Sequence, residues 1–333
     1  MHVQKKRADL IIRMLKQPAS APVPAPVTEK HQLPEPVAII GLSGYFPQCN
    51  NVEEFWNALD ENRSLISAIP NSRINWETAY DPQGKDMSKS RTKWGGVIPD
   101  IKQFDPHFFG ILGGEANLMD PRKRLLLMSV YHAMENAGYA PASFRNTMTG
   151  VFVAVEEDEY TQCMREAGID VKTGNGYSAS LIANELSYFF DLRGSSEVIN
   201  TMCSGAAVAI HRAVKALRSG EITCALVSAA NIMLTPDPFV FLSQTAQMSD
   251  TDTVHSFGKG ANGFLRSDGV ASIVLKPLSQ AIRDNDAIYA VIRNTAVNYN
   301  GKSGASMATP NISAHEAVIK ACYEEVALDP SKL

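Results

Sequence analysis

The sequence has no apolar run approaching the roughly 18 to 20 residues that cross a bilayer; its best pieces are as short as Gly150 to Val155. A membrane span is therefore not expected. It also lacks a charge excess: 31 Lys and Arg against 35 Asp and Glu leave −4 over 333 residues, so no whole-protein grip on nucleic acid or an anionic membrane is expected. Cysteine is sparse and odd in number. Cys49, Cys163, Cys203, Cys224 and Cys322 stand far apart with no C-x-x-C pair, which argues against a disulfide framework or zinc cluster and for reduced thiols in the cytoplasm. Short tandem repeats and the H-E-x-x-H, Walker A, G-x-S-x-G and EF-hand spacings are missing too, so solenoid, metalloprotease, ATPase and serine-hydrolase readings have no support.

At the N-terminus, Lys5, Lys6, Arg7, Arg13 and Lys16 surround Leu10, Ile11, Met14 and Leu15 at helical spacing. The apolar stretch is too broken for the h-region of a secretory signal. Residues 1–17 read as an amphipathic docking or linker helix, and three readings stay open: a partly solvated helix on the edge of an assembly, a protein-docking contact, or a membrane or nucleic-acid contact. Residues 18–36 carry Pro18, Pro22, Pro24, Pro26, Pro34 and Pro36 and read as a semi-rigid polyproline-type linker.

From Val37 onward, short β-branched runs alternate with helical stretches. Strands are expected at 37–41, 150–155, 198–200, 223–228, 270–275 and 287–292, and helices at 52–59, 121–137, 178–190, 204–218 and 315–326. Continuous apolar strands alternating with helices predict an α/β layered fold with a largely buried sheet. The segment 61–105, rich in charge, Pro and Gly, is expected to be a long surface excursion.

A literal G-x-G-x-x-G occurs at Gly258, Gly260 and Gly263. A phosphate loop leaves a strand and opens a helix, so that the helix amides face the anion. Both flanks here are turn-like, and nucleotide binding is rejected. The informative segment is Asn200-Thr-Met-Cys203-Ser-Gly-Ala-Ala207, where a strand end is followed by a helix of small residues. A thiol at such a turn meets unpaired amides and the positive end of the helix dipole, which favour the reactive thiolate. A buried structural cysteine remains the competing reading. His211 cannot be its partner, because eight residues of helix separate them by about 12 Å; His132, His255 and His315 depend on the fold, and His107 and His315 read as surface or capping residues.

The ordered set of segments carries a family resemblance. Glu35-Pro-Val-Ala-Ile-Ile-Gly41, Phe104-Asp-Pro-His-Phe-Phe-Gly110, Glu115-Ala-Asn-Leu-Met-Asp-Pro121, Glu135-Asn-Ala-Gly-Tyr139, Ser187-Tyr-Phe-Phe-Asp191, Thr201-Met-Cys-Ser204 and Leu275-Lys-Pro-Leu278 together resemble the ketosynthase domain of modular polyketide synthases, β-ketoacyl synthases of the thiolase superfamily. The resemblance implies a thiolase-like layered fold with the first repeat complete and the second truncated, a ketosynthase domain over 37–333, and usually a homodimer. It further implies that Cys203 is the acyl-accepting nucleophile. The acyl chain comes from a phosphopantetheine thioester on an acyl carrier domain, so the cofactor is presented by the partner rather than bound by this chain. A malonyl unit then condenses with loss of CO2.

Departures accompany the matches. Where the family shows D-T-A-C-S, this chain has Asn200 and Met202; the family's later aspartates correspond to Gly258 and Asn262, and its R-G-E-G to Arg266-Ser-Asp-Gly269. The family's H-G-T-G-T strand and K-x-N-x-G-H segment, whose histidines stabilise developing charge, do not occur before Leu333. The expectation is the N-terminal part of a ketosynthase that works with a complementing C-terminal part or neighbouring synthase modules. The alternatives are a ketosynthase that only transfers acyl chains, or a catalytically silent structural piece.

Overall fold

The computed structural model describes residues 33–156, 159–169, 179–302 and 309–326. By its internal contacts the chain divides into residues 1–33 and 34–333. The amphipathic segment 1–17 and most of the Pro-rich stretch lie outside the described residues.

The strands are β1 (Val37–Tyr45), β2 (Ser67–Ala68), β3 (Trp94–Gly95), β4 (Thr149–Val155), β5 (Ser196–Ile199), β6 (Cys224–Asn231), β7 (Gly269–Pro277) and β8 (Ala290–Ile292). The helices are α1 (Val52–Asp60), α2 (Trp76–Ala79), α3 (Gly113–Leu118), α4 (Pro121–Asn136), α5 (Glu159–Glu166), α6 (Ser180–Phe189), α7 (Gly205–Ser219), α8 (Asp237–Gln244), α9 (Leu278–Arg283) and α10 (Ile312–Glu324). All six expected strands form one sheet in the order β5-β4-β6-β7-β1-β8. β5, β4 and β6 run parallel, while β7 is antiparallel to both β6 and β1, and β8 is antiparallel to β1.

Alternation along β4 sets the layers, because successive side chains of a strand point to opposite faces. Val151, Val153 and Val155 pack with Leu126, Val130 and Ala133 of α4 and with Ile182 and Leu186 of α6. Phe152 and Ala154 face the other way, onto Ala209, Ala213, Val214 and Leu217 of α7. Helices therefore cover both faces, which is why every residue of β4 is buried. The approach of α4 is close: a Cβ on Gly41 would lie 2.4 Å from the Ala133 carbonyl oxygen, so β1 has room only for glycine there. At the far edge, Ala290 and Val291 of β8 are exposed.

The expectation for 61–105 is corrected. Ile69, Ile74, Trp76, Ala79 and Val97 form a core cluster of their own with Met233, Phe239 and Met248. A buried ion pair fastens the segment to the sheet: Arg73 Nη1 lies 2.8 Å from Asp268 Oδ2, and Asp268 also accepts from the Ile98 and Met233 amides at 3.0 and 2.8 Å. Burial pushes the Asp268 carboxyl above the usual carboxylate range, against the pull of Arg73 and both amides. Local composition hides such a segment because its few apolar residues find their partners more than a hundred positions away.

Candidate functional site

Cys203 sits where the sequence placed it, in a short 3-10 turn (Met202–Ser204) between β5 and α7. The thiol is exposed, so the buried structural reading does not hold. Asn200 builds the turn: its Oδ1 accepts the Met202 amide at 3.3 Å, and Met202 takes a left-handed φ of 52°, unusual for a residue with a side chain. The Ser204 hydroxyl turns back to the Thr201 carbonyl at 2.8 Å and leaves the start of α7 without a side-chain cap. The positive end of a fifteen-residue helix thus opens beside the thiol.

Two cavities meet at this residue. One, of about 290 Å³, is walled by small and apolar side chains such as Ala154, Val155, Ile199, Ala206 and Val270. The second, of about 750 Å³, is a mixed cleft formed by α5, the β6–α8 connection and residues 264–267. Met202 and Asn231 border both. The wall of the larger cleft is braced by Glu159, whose Oε2 accepts from the Leu234 and Thr235 amides at 2.7 and 2.8 Å and from Thr235 Oγ1 at 3.1 Å. Its other oxygen meets Arg266 Nη2 at 3.2 Å. Arg266 lies over the Phe239 ring, 5.0 Å from the centroid.

The other cysteines differ. Burial and the neighbouring Glu166 and Glu159 push the Cys163 thiol up to about 11, and burial pushes Cys224 up to about 12. His211, on α7, is hydrogen-bonded through Nδ1 to Thr295 Oγ1 at 2.8 Å and is pushed below the usual histidine range by burial; it lines a different cavity. His132 pairs with Glu135, and His107 and His315 are exposed, as expected. Among the described residues no histidine lines either cavity at Cys203. The segment 258–263 lies in turns and extended loop, with neither a strand before it nor a helix after it. Among the described residues no cluster of side chains suits a metal ion, and no helix is long and apolar enough to cross a membrane.

Sequence reasoning missed Glu159, Gln162, Asn231 and Arg266 as parts of one wall. They come from three separate stretches, and no local pattern links them.

Comparison with known proteins agrees with this architecture. The solved oxazolomycin ketosynthase domain from Streptomyces albus JA3453 superposes with a TM-score of 0.84 at 32% identity, over 90% of this chain and 53% of that one. A ketosynthase from module 6 of the bacillaene synthase of Bacillus subtilis 168 gives 0.80 at 33% identity, over 90% and 50%. Among curated relatives, the polyketide synthase PksR of Bacillus subtilis (strain 168) is 37% identical over 331 residues, 99% of this chain and 12% of the relative. The polyketide synthase component of lovastatin nonaketide synthase from Aspergillus terreus is 39% identical over 302 residues, 90% and 10%. The chain thus spans about half of the solved ketosynthases and about a tenth of these synthases. The family model described as "Beta-ketoacyl synthase, N-terminal domain" matches residues 34–281, and the chain belongs to the β-ketoacyl synthase family, in the group of polyketide synthase ketosynthases.

Proposed function

We propose that this chain accepts an acyl group onto Cys203 from a phosphopantetheine thioester carried by an acyl carrier domain, as the opening step of polyketide chain extension. The observation that carries the reading is the exposed thiol at the uncapped start of α7, bordered by two cavities. The thiolate attacks the thioester carbonyl, the carbon–sulfur bond to the carrier arm breaks, and the leaving thiolate takes up the proton released by Cys203. One thioester replaces another, so little free energy separates the two sides. The helix dipole and open amides favour the charged sulfur.

Decarboxylative condensation with a malonyl unit follows in this reading, with a complementing C-terminal ketosynthase part supplying the groups that stabilise developing charge. The exposed apolar side chains Tyr289, Val291, Val297, Ile312 and Ile319 around β8 and α10 support such a covering partner. A homodimer, partner modules of an assembly line and work in the reducing cytoplasm belong to the same reading. The second reading is acyl transfer without extension. It is favoured by Asn200, a neutral amide that shapes the turn where the family carries an acid.

The test is intact-protein mass spectrometry with an acyl-loaded carrier, with and without a malonyl-loaded carrier and the complementing part. Acylation that disappears in Cys203→Ala supports the proposal; extension only in the presence of both additions selects condensation over transfer. Absence of any adduct at Cys203 with all components present removes both readings and leaves the structural piece.

A further inference from the structure

The helix α1 is fixed at its start by local bonds and buried on one side only. Asn51 accepts the Glu54 amide at 2.8 Å, and the Glu54 carboxylate accepts from the Asn50 amide at 2.8 Å and from Asn51 Nδ2 at 3.1 Å, which closes the first turn. On the inner side the Phe55 ring stacks on Phe46, with centroids 4.2 Å apart, and Ala58 is fully buried. Trp56 and Leu59 face outward, 66% and 54% exposed. Three positions apart, they form an apolar strip on a helix whose other outward residues are polar or charged.

The charge around that strip has one sign. Glu53 precedes Trp56 by three positions and Asp60 follows it by four, so both carboxylates share the face of the indole. Neither has an ion-pair partner among the described residues, and α1 holds no basic residue. The next one in the chain, Arg63, is turned towards Cys49, its Nη2 3.9 Å from the sulfur. Trp56 and Glu53 form one bank of a groove of about 620 Å³. The other bank is α4, where His132 pairs with Glu135 at 3.2 Å, and on the floor β1 offers the hydroxyl oxygens of Ser43 and Tyr45 as acceptors. An acidic segment laid here would be repelled by Glu53 and Asp60, and a purely apolar one would desolvate Glu53 without a partner. A cation finds a π face, two carboxylates and hydroxyl acceptors together.

We propose that the groove between α1 and α4 docks a basic amphipathic helix of a partner protein, with an arginine over the Trp56 indole between Glu53 and Asp60. Arginine suits the place better than lysine, because its planar guanidinium stacks on an aromatic ring and pairs with a carboxylate at the same time. The apolar face of the incoming helix covers Leu59, the usual way a helix fills a groove. Phe46, on which Phe55 stacks, also walls the smaller cavity at Cys203, so the partner sits one aromatic layer behind the thiol. The proposal does not depend on Cys203 being the acyl acceptor.

The experiment uses the full chain and a synthetic amphipathic peptide with leucine along one face and arginine beside it, together with two counterparts, one with glutamate for every arginine and one with serine for every leucine. Binding of fluorescein-labelled peptide is read by anisotropy. Its place is read with unlabelled peptide by acrylamide quenching of tryptophan, which in the free chain reports chiefly Trp56, since Trp76 is only 5% exposed and Trp94 is half-buried. The arginine peptide is expected to bind about tenfold or more tightly than either counterpart, to shield Trp56 from acrylamide, and to weaken about threefold or more between about 50 and 500 mM salt. Trp56→Ala should weaken binding about tenfold or more, the loss typical of a central aromatic contact. Equal binding of the arginine and glutamate peptides, a serine counterpart as tight as the leucine one, no binding at about 1 mM, or binding that leaves the quenching unchanged overturns the proposal. Shielding of Trp56 that grows with the chain's own concentration assigns the face to a second copy, and shielding by the complementing ketosynthase part assigns it to that part; either result overturns the proposal as well. All of these readings are made on the wild-type protein and stand even if Trp56→Ala fails to fold.

Discussion

The helices α4 and α10 are similar in length and both rich in apolar residues, yet their environments are opposite. Ten of the sixteen residues of α4 are buried, Arg122 and Lys123 included, whereas none of the thirteen residues of α10 is. α4 lies across β1 and β7, and its buried Lys123 is neutralised by Glu185 of α6 at 2.7 Å. α10 is tethered by polar links instead: Asn298 Nδ2 donates to the Ala314 carbonyl at 2.7 Å and Asn294 Nδ2 to the Cys322 carbonyl at 3.0 Å. Its Ile312 and Ile319 remain exposed. A helix can thus be specified locally by its N-cap, Asn311 accepting the Ala314 amide in one case and Asp120 the Arg122 amide in the other, while its burial depends on what the sheet sets against it.

The contrast can be broken at several points. The largest effect is expected on the buried side: Lys276→Met leaves the Asp286 carboxylate, only 4% exposed, without its cation and should cost about 3 to 5 kcal/mol in urea denaturation. Burial alone would lower the Lys276 pKa, but its hydrogen bonds to Asp284, Asp286 and Tyr139 raise it well above the ordinary lysine value. A cation whose folded pKa is raised gives its full stabilisation below the unfolded value of about 10.4 and loses it as pH rises through the folded one. The wild-type margin over Lys276→Met should therefore be flat from pH 6 to 9 and shrink only in strong alkali.

Next in size is the direct comparison of the two helices. Leu126→Ala, at a fully buried position of α4, should cost about 2 to 5 kcal/mol, and Ile319→Ala in α10 less than about 0.5 kcal/mol. Comparable losses in denaturation midpoints would show that α10 is packed. If a complementing ketosynthase part is added, the cost of Ile319→Ala should rise while that of Leu126→Ala stays put. Smaller still, Met202→Gly relieves a left-handed backbone and should raise stability by about 1 kcal/mol, an effect readable in the same denaturation series.

The subtlest prediction concerns thiol chemistry. With a Cys163 pKa of about 11, about one molecule in a thousand carries the thiolate at pH 8, and Cys224 fewer. Iodoacetamide at that pH should label exposed Cys203 first, and peptide mapping should find Cys163 and Cys224 unmodified until the protein unfolds. Early labelling of Cys163 would erase the distinction between the exposed turn and the less accessible thiols.

Much of this was legible beforehand. The six expected strands occur, as do the five expected helices within a few residues at their ends, because apolar periodicity and turn residues act over short distances. β1 runs on to Tyr45 and β8 begins only at Ala290, differences set by pairing with β7 and by the edge of the sheet. The place of Cys203 at a strand-to-helix junction was legible from its neighbours, but its exposure was not, since residue type alone favours a buried structural cysteine. The core around Trp76 was missed, since Arg73 and Asp268 are far apart in the chain and no window contains both.

By itself the sequence determined the alternation of strands and helices, the thiol at a turn and the family resemblance, all products of local pattern or short ordered motifs. Only the tertiary structure decided that the thiol is exposed, that two cavities border it and that Glu159, Gln162, Asn231 and Arg266 share one wall. Those features arise where β5, β6, α5 and the stretch before β7 come together. Contacts between segments distant in the chain leave no periodic trace within any of them, so space alone brings them into view.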